Sequence, residues 1–312
     1  MPTVCITGGT GLIGKALTAV LLQKGYEVIV LTRGMPAEKG VHRPGLSFAN
    51  WDVAAQTIDA GAVKKANCIV HLAGAGVADK RWTDRRKKEI AESRTKSSAL
   101  LVKALRENEN SVKAVICASA IGWYGADPLI PNPKPFTETD PADKAFLGET
   151  CRQWEESIEP VALLGKRLVK LRTGIVLSTE GGAFKEFARP LKAGIAAVLG
   201  SGKQVVSWIH IDDICRMYLQ AIEDESMHGV YNAVAPLPVS NKQLTLALAK
   251  AARGRFYIPV HVPSLLLKIG LGALSIEVLK SATVSAEKIR NAGFNFIYPS
   301  IEAAINQLTG KK

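Results

Sequence analysis

Along the first half of the chain, short apolar runs alternate with longer segments whose apolar residues recur at helical spacing. The runs fall near residues 3–7, 26–32, 46–50, 67–72 and 112–119, and the helical segments near 12–24, 84–109 and 144–158. Strands alternating with helices in this way predict an α/β fold with a parallel, doubly wound sheet of Rossmann type. A further strand is expected over Arg167–Val176, after the Glu159-Pro160 interruption and a turn at Gly165. Beyond it the pattern is less regular. Breakers at Gly181-Gly182, Gly200-Ser201-Gly202 and Pro236-Leu237-Pro238 predict the loops of a smaller lobe. Ser207–Ile222 reads as a strand and helix that return to the main sheet domain, and Val230–Ala233 as a last strand. The expected division is a Rossmann-type sheet domain of residues 1–176 together with about 205–234, and a smaller C-terminal lobe of about 177–204 together with 235–312. The longest apolar stretch, Val262–Leu279, is interrupted by Lys268, Gly270, Gly272 and Glu277. A membrane span needs about 20 apolar residues, so this stretch is expected to be a lobe helix.

The most specific local signal lies where the first strand ends. Val4-Cys5-Ile6-Thr7 runs into Gly8-Gly9-Thr10-Gly11-Leu12-Ile13-Gly14 and then a helix closed by Gly25. Gly8, Gly11 and Gly14 fall at three-residue spacing, where missing side chains permit a tight turn, close approach to a pyrophosphate and close packing of helix on strand. The N–H groups at the helix start face the anion. Gly8, Thr10, Gly11, Leu12, Ile13 and Gly14 are therefore the expected cofactor contacts. The second strand ends in Leu31-Thr32-Arg33-Gly34, with no acid to take the adenosine ribose hydroxyls. Arg33 suits a 2′-phosphate instead, so NADP(H) is expected in preference to NAD(H).

Composition narrows the class. With 312 residues, 47% hydrophobic and 22% charged, the chain is an ordinary globular sequence. Five cysteines without a CxxC pair lie mostly in apolar runs (Cys5, Cys68, Cys117), which favours buried thiols and a cytoplasmic setting over a disulfide framework or a metal site. The first strand begins almost at the N-terminus, leaving no room for a signal peptide. Much of the basic excess behind the net charge of +12 lies between Lys80 and Lys96. Interspersed acids make that segment a solvated helix face with i,i+4 partners, from which one or two arginines could reach a nucleotide pocket. Nucleic-acid binding is not expected, because no recognised RNA or DNA module is present.

Together these pieces resemble the extended short-chain dehydrogenase/reductase family over nearly the whole chain. The residues that carry the resemblance are the TGGTGLIG turn, Asp52, His71-Leu72-Ala73-Gly74, Ser119 through Tyr124-Gly125, Arg172-Thr173-Gly174 and Ile209-His210-Ile211-Asp212-Asp213. Arg81-Trp82, Ser93-Arg94-Thr95, Cys151-Arg152-Gln153-Trp154-Glu155 and Trp208-Ile209-His210-Ile211 are similar to an atypical epimerase-family branch, which includes bacterial proteins labelled sugar-nucleotide epimerase or cell-division inhibitor. The resemblance implies that Asp52 lies beside the adenine, that Leu72, Ala73 and Gly74 line the adenosine, and that Arg94, Ser119 and Thr173 also contact the cofactor.

The family's catalysis uses a Tyr and a Lys four residues apart on one helix face, with a Ser or Thr after the fifth strand. Aligned on the flanking pattern, Cys151 takes the Tyr position, Glu155 the Lys position and Ala120 the Ser position. Glu155 is thus expected to bring negative charge near the ribose, reversing the family's electrostatics. Tyr124, Cys151 and His210 are the remaining candidates for moving a proton, while Asp212 or Asp213 is expected to cap the next helix. The function these residues imply is NADP(H)-dependent oxidoreductase or epimerase-like chemistry on a small molecule, by a monomer or homodimer. The second reading is a catalytically lapsed NADP(H)-binding redox sensor or regulator.

Overall fold

The computed structural model describes residues 1–34 and 43–310. The strands of the first half are β1 (Thr3–Thr7), β2 (Glu27–Thr32), β3 (Leu46–Asp52), β4 (Thr57–Ile58), β5 (Cys68–His71), β6 (Ala114–Ala120) and β7 (Arg167–Thr173). The second half adds β8 (Ile175–Leu177), β9 (Ile195–Leu199), β10 (Val205–Val206), β11 (Trp208–His210), β12 (Gly229–Ala233), β13 (Val239–Ser240) and β14 (Ile258–Val262). Eight of them form one sheet in the order β12-β7-β6-β5-β1-β2-β3-β4. All its pairings are parallel except the edge pair β3–β4. The order reverses between β1 and β5, which opens a crevice at the carboxyl ends of the strands, where doubly wound sheets bind their ligands.

Alternation along each strand fills two cores. Val4, Ile6, Val28 and Val30 pack on one face, against α1 (Leu12–Gln23) and α7 (Ile211–Glu223). Cys5, Ile29, Ile69 and Val115 pack on the other, against α3 (Asp84–Glu107) and α4 (Phe146–Ile158). Between these helices in sequence come α2 (Ala60–Lys65), α5 (Pro160–Leu163) and α6 (Ala183–Ala188). A third core of Leu177, Phe184, Leu191, Trp208, Leu244, Leu248, Ile301 and Ile305 joins β8 and β11 to α8 (Asn241–Arg253) and to the C-terminal helices. The latter are α9 (Ser264–Leu271), α10 (Ser275–Leu279), α11 (Glu287–Asn291) and α12 (Ile301–Leu308). All five cysteines are buried free thiols, and no helix among the described residues is long and apolar enough to cross a membrane.

Three expectations need correction. The strand expected over Arg167–Val176 is two strands in two sheets, because the chain leaves the large sheet at Gly174. There a Cβ would lie 2.6 Å from the Ser207 carbonyl oxygen, so only glycine lets the backbones cross. Val262–Leu279 is α9, a short 3-10 turn and α10 rather than one helix, broken at Gly272 with its φ of +60°. The helix after β11 is capped by His210, whose ring accepts the Asp212 N–H at 3.1 Å. Asp213 instead accepts from the N–H groups of Ile297 and Tyr298, both at 2.9 Å, and pairs with Arg216.

Candidate functional site

The glycine turn forms an open cradle. Gly8 has φ +67°, and a Cβ there would lie 2.8 Å from the Leu72 carbonyl. A Cβ on Gly14 would lie 2.4 Å from the Gly8 carbonyl oxygen, so the helix presses directly on the turn. Gly11 closes it by donating its N–H to Gly8 O at 3.0 Å. It is also the N-cap of α1 and offers no side chain to the first turn, which contains no acid. The N–H groups of Leu12, Ile13 and Gly14 have no acceptor among the described residues. Unsatisfied donors at a positive helix end, in a cradle that side chains would fill, fit a pyrophosphate.

The neighbouring strand end is held by a buried relay. Thr7 Oγ1 accepts from the N–H groups of Leu72 (3.1 Å) and Ala73 (3.2 Å) and so gives its own proton to His71 Nδ1 at 2.7 Å. His71 Nε2 then carries the ring proton, within 3.3 Å of both Ser97 and Ser98 hydroxyls. Full burial pushes the His71 pKa down to about 3, from an ordinary 6.5. Between those values the unfolded chain takes up a proton that the folded chain refuses, so this residue's stability contribution is complete above pH 6.5 and declines as pH falls toward 3. The slope reaches about 1.4 kcal/mol per pH unit. Replacing His71 with Gln is expected to flatten the acid side of the stability curve, read as urea-unfolding free energies of the two proteins between about pH 6.5 and 4. Equal slopes for both would refute the assignment.

Arg33 stands exposed at the end of β2, and Asp52 half-buried at the end of β3. Asp52 Oδ1 accepts from the N–H groups of Ala54 (2.8 Å) and Ala55 (3.1 Å), which makes it a turn-capping residue. Leu72 and Ala73 are half-buried and Gly74 exposed, at the edge of the cradle. A Cβ on Gly74 would lie 3.2 Å from the Arg94 guanidinium carbon, so this glycine makes room for that side chain.

Beyond the cradle a cavity of about 400 Å³ lies where the carboxyl ends of β6 and β7 meet the C-terminal segment. Ala120, Ile121 and Gly122 line it from the first side, with Leu147 and Cys151 of α4, Thr173 at the end of β7 and Gly174 just beyond it. Val206, Glu277, Val278 and Lys280 line it from the other. Arg94 enters from α3, donating Nη1 to the carbonyls of Ala75 (3.1 Å) and Ile90 (2.9 Å) and stacking 4.9 Å from the Trp154 ring. Burial pushes its pKa down. Burial also pushes the Cys151 thiol up to about 12, against the opposing influence of Arg94, so the sulfur keeps its proton at neutral pH.

Glu155 does not face the cavity. Its carboxylate accepts from Ser119 Oγ at 2.7 Å, from Arg172 Nε at 2.8 Å and from Arg172 Nη2 at 3.1 Å, with Lys170 Nζ at 3.8 Å. The expectation that Glu155 brings negative charge to the ribose is thereby corrected: the charge is neutralised inside the protein. Ser119 spends its hydroxyl on the same carboxylate.

Residues 4–233 match the NAD dependent epimerase/dehydratase family, and residues 262–308 match a domain of unknown function. The chain belongs to the NAD dependent epimerase/dehydratase family. It is 34% identical to an epimerase family protein of Staphylococcus saprophyticus, covering 97% of this chain and 98% of that one. It is 30% identical to the epimerase family protein YfhF of Bacillus subtilis, covering 98% of this chain and 97% of that one. The crystal structure of the human epimerase family protein SDR39U1 with NADPH superposes with a TM-score of 0.84 at 28% identity, over 99% of both chains. The chain is thus an atypical extended short-chain dehydrogenase/reductase with a nicotinamide dinucleotide fold.

Within this epimerase-family chain only one of the three proton-transfer candidates reaches the cavity, and that is Cys151. The Tyr124 hydroxyl is fully buried, donating to Asn232 Oδ1 at 2.6 Å and accepting from Arg172 Nη1 at 3.1 Å, and its pKa is pushed up to about 12, mainly by burial. His210 is fully buried as the cap of α7, with Nε2 donating to Gln307 Oε1 at 2.9 Å. Sequence reasoning missed Glu277 and Lys280, an ion pair at 2.6 Å in the segment that matches the domain of unknown function. Two anchors hold that segment against the cavity. Asp127 accepts from Ser281 and Thr283, and Ser207 donates to the Ala282 carbonyl. Neither anchor leaves a local pattern, because the partners are 75 or more residues apart.

Proposed function

We propose that this chain is an NADP(H)-dependent oxidoreductase, epimerase-like in architecture, acting on a small molecule in the cavity beside Cys151 and Arg94. The carrying observation is the position of that cavity, at the carboxyl end of the parallel sheet next to the glycine cradle. A bound nicotinamide would supply the hydride chemistry. The chain's own part is to hold the pyrophosphate on the N–H groups of Leu12 and Ile13, the adenosine along Leu72, Ala73 and Gly74, and the adenine near Asp52. Cys151, protonated at Sγ, serves as a proton donor toward a substrate oxygen rather than as a nucleophile, and Arg94 steadies negative charge developing there. The division into a nucleotide-binding domain of residues 1–176 with about 205–234, and a substrate lobe from the rest, belongs to this reading.

Arg33 is assigned to the 2′-phosphate. A charge-assisted hydrogen bond contributes about 1.5–3 kcal/mol, so Arg33→Ala is expected to weaken NADPH by about 10- to 100-fold and leave NADH unchanged. Titration of both nucleotides by nicotinamide fluorescence reads this directly. Equal losses for the two nucleotides would remove Arg33 from the site. Oxidation of bound NADPH by a panel of carbonyl compounds and sugar nucleotides, lost in Cys151→Ala, tests the enzyme.

The second reading, a redox sensor, draws on the buried Glu155–Arg172 pair, which stands where the family keeps its catalytic lysine. NADPH binding without turnover, with a protein partner whose affinity differs between the NADPH and NADP⁺ forms, would favour it.

A further inference from the structure

Among the described charged side chains that line the cavity, only Arg94 lacks a counter-ion among the described residues. Lys280 is held by Glu277 at 2.6 Å and donates to the Tyr124 carbonyl at 3.2 Å, so that pair adds no net charge. The carboxylate of Glu155 is occupied by Arg172 and Lys170. Arg94 has no carboxylate within 4.0 Å among the described residues, and only its Nη1 is hydrogen-bonded. Arg94 is half-buried at the cavity wall, and its unused guanidinium donors offer a paired site to an anionic ligand. The remaining walls are largely apolar, with Ile121, Leu147, Phe187, Val206 and Val278 prominent.

We infer that the cavity selects a compact, mainly apolar substrate bearing a single carboxylate, seated on the Arg94 guanidinium. The inference rests on reading this cavity as the substrate site. A carboxylate matches the planar fork, and one negative charge balances the one uncompensated cation. The cofactor's pyrophosphate does not take this role, because the start of α1 already provides its donors. A nucleoside diphosphate sugar is disfavoured by the same count, because its diphosphate requires a second unpaired cation. The volume, about 400 Å³, is near the lower end of ligand pockets, which run from about 300 to 1,000 Å³.

The test is calorimetric titration of the NADP⁺-saturated protein with 2-oxooctanoate, its methyl ester and UDP-glucose. The acid is expected to bind at least about tenfold more tightly than the ester, the contribution of one charge-assisted contact, and UDP-glucose to bind more weakly than either. In Arg94→Gln the acid is expected to fall to the level of the ester. Equal affinity for acid and ester in the wild-type protein, or tighter binding of UDP-glucose, overturns the inference. This comparison needs no variant and survives a failure of Arg94→Gln to fold. Fluorescence of bound NADPH separates the two readings. Acid-selective binding that changes the nicotinamide signal supports both, whereas acid-selective binding with no change supports the Arg94 anion site and overturns the cavity as the reacting site.

Discussion

Glu155→Lys is expected to unfold the protein under conditions where the wild type is stable, instead of restoring a missing catalytic lysine. The substitution removes a carboxylate that is bonded to Arg172 at 2.8 Å and to Ser119 at 2.7 Å, and it places a third cation beside Arg172 and Lys170. Removing one partner of a buried pair costs about 3–5 kcal/mol before any like-charge repulsion is added. In a chain of this size that corresponds to a fall in melting temperature on the order of 10 °C. Pairing Glu155→Gln with Arg172→Met is expected to recover part of the loss, since the two residues share one network. Thermal unfolding of the wild type, Glu155→Lys and the paired Glu155→Gln/Arg172→Met variant decides the matter, and a melting temperature for Glu155→Lys close to that of the wild type would refute the account. The family's catalytic helix has been rebuilt around an internal ion pair, and a two-residue exchange at positions 151 and 155 does not reverse that.

Gly14→Val is expected to abolish useful nucleotide binding. With a Cβ only 2.4 Å from the Gly8 carbonyl oxygen and 2.6 Å from the Gly9 Cα, helix and turn must separate, and the N–H groups of Leu12 and Ile13 lose their common aim. The expected loss of NADPH affinity is about 100-fold or more, on the order of 3 kcal/mol. Gly25→Ala is the matched control at the other end of α1. Its φ of +83° strains any side chain, but nothing lies within 4 Å, so stability falls by about 1 kcal/mol while NADPH binding is kept. Retained NADPH binding in Gly14→Val would remove the glycine turn from the site.

The parts of this fold that could be read from the chain are those whose information is local. The glycine spacing of residues 8–14, the run from Asp84 to Glu107 and the apolar strands each carry their signal within a short window, and the large sheet follows from their alternation. Gly174 shows the limit: a continuous apolar run breaks into two sheets because of a backbone crossing with Ser207, some thirty residues away. The candidate site divides in the same manner. The cradle is one contiguous motif, but the fate of Glu155 depends on Arg172 and that of Tyr124 on Asn232, partners set by strand order and not by spacing. The same holds for Glu277 and Lys280, which reach the cavity only through tertiary contacts at Asp127 and Ser207.

The cavity is closed by residues from opposite ends of the polypeptide. Arg94 and Cys151 lie in the first half, whereas Lys280, bonded to the Tyr124 carbonyl, is 156 residues further along than its partner. During synthesis the nucleotide turn can form early from neighbouring segments, but the wall of the cavity is not available until nearly the whole chain has left the ribosome. Contacts of such sequence separation form late in folding, because a long loop must close before they gain anything. A nascent or truncated chain would thus acquire a dinucleotide cradle long before it acquires the finished wall of the neighbouring cavity.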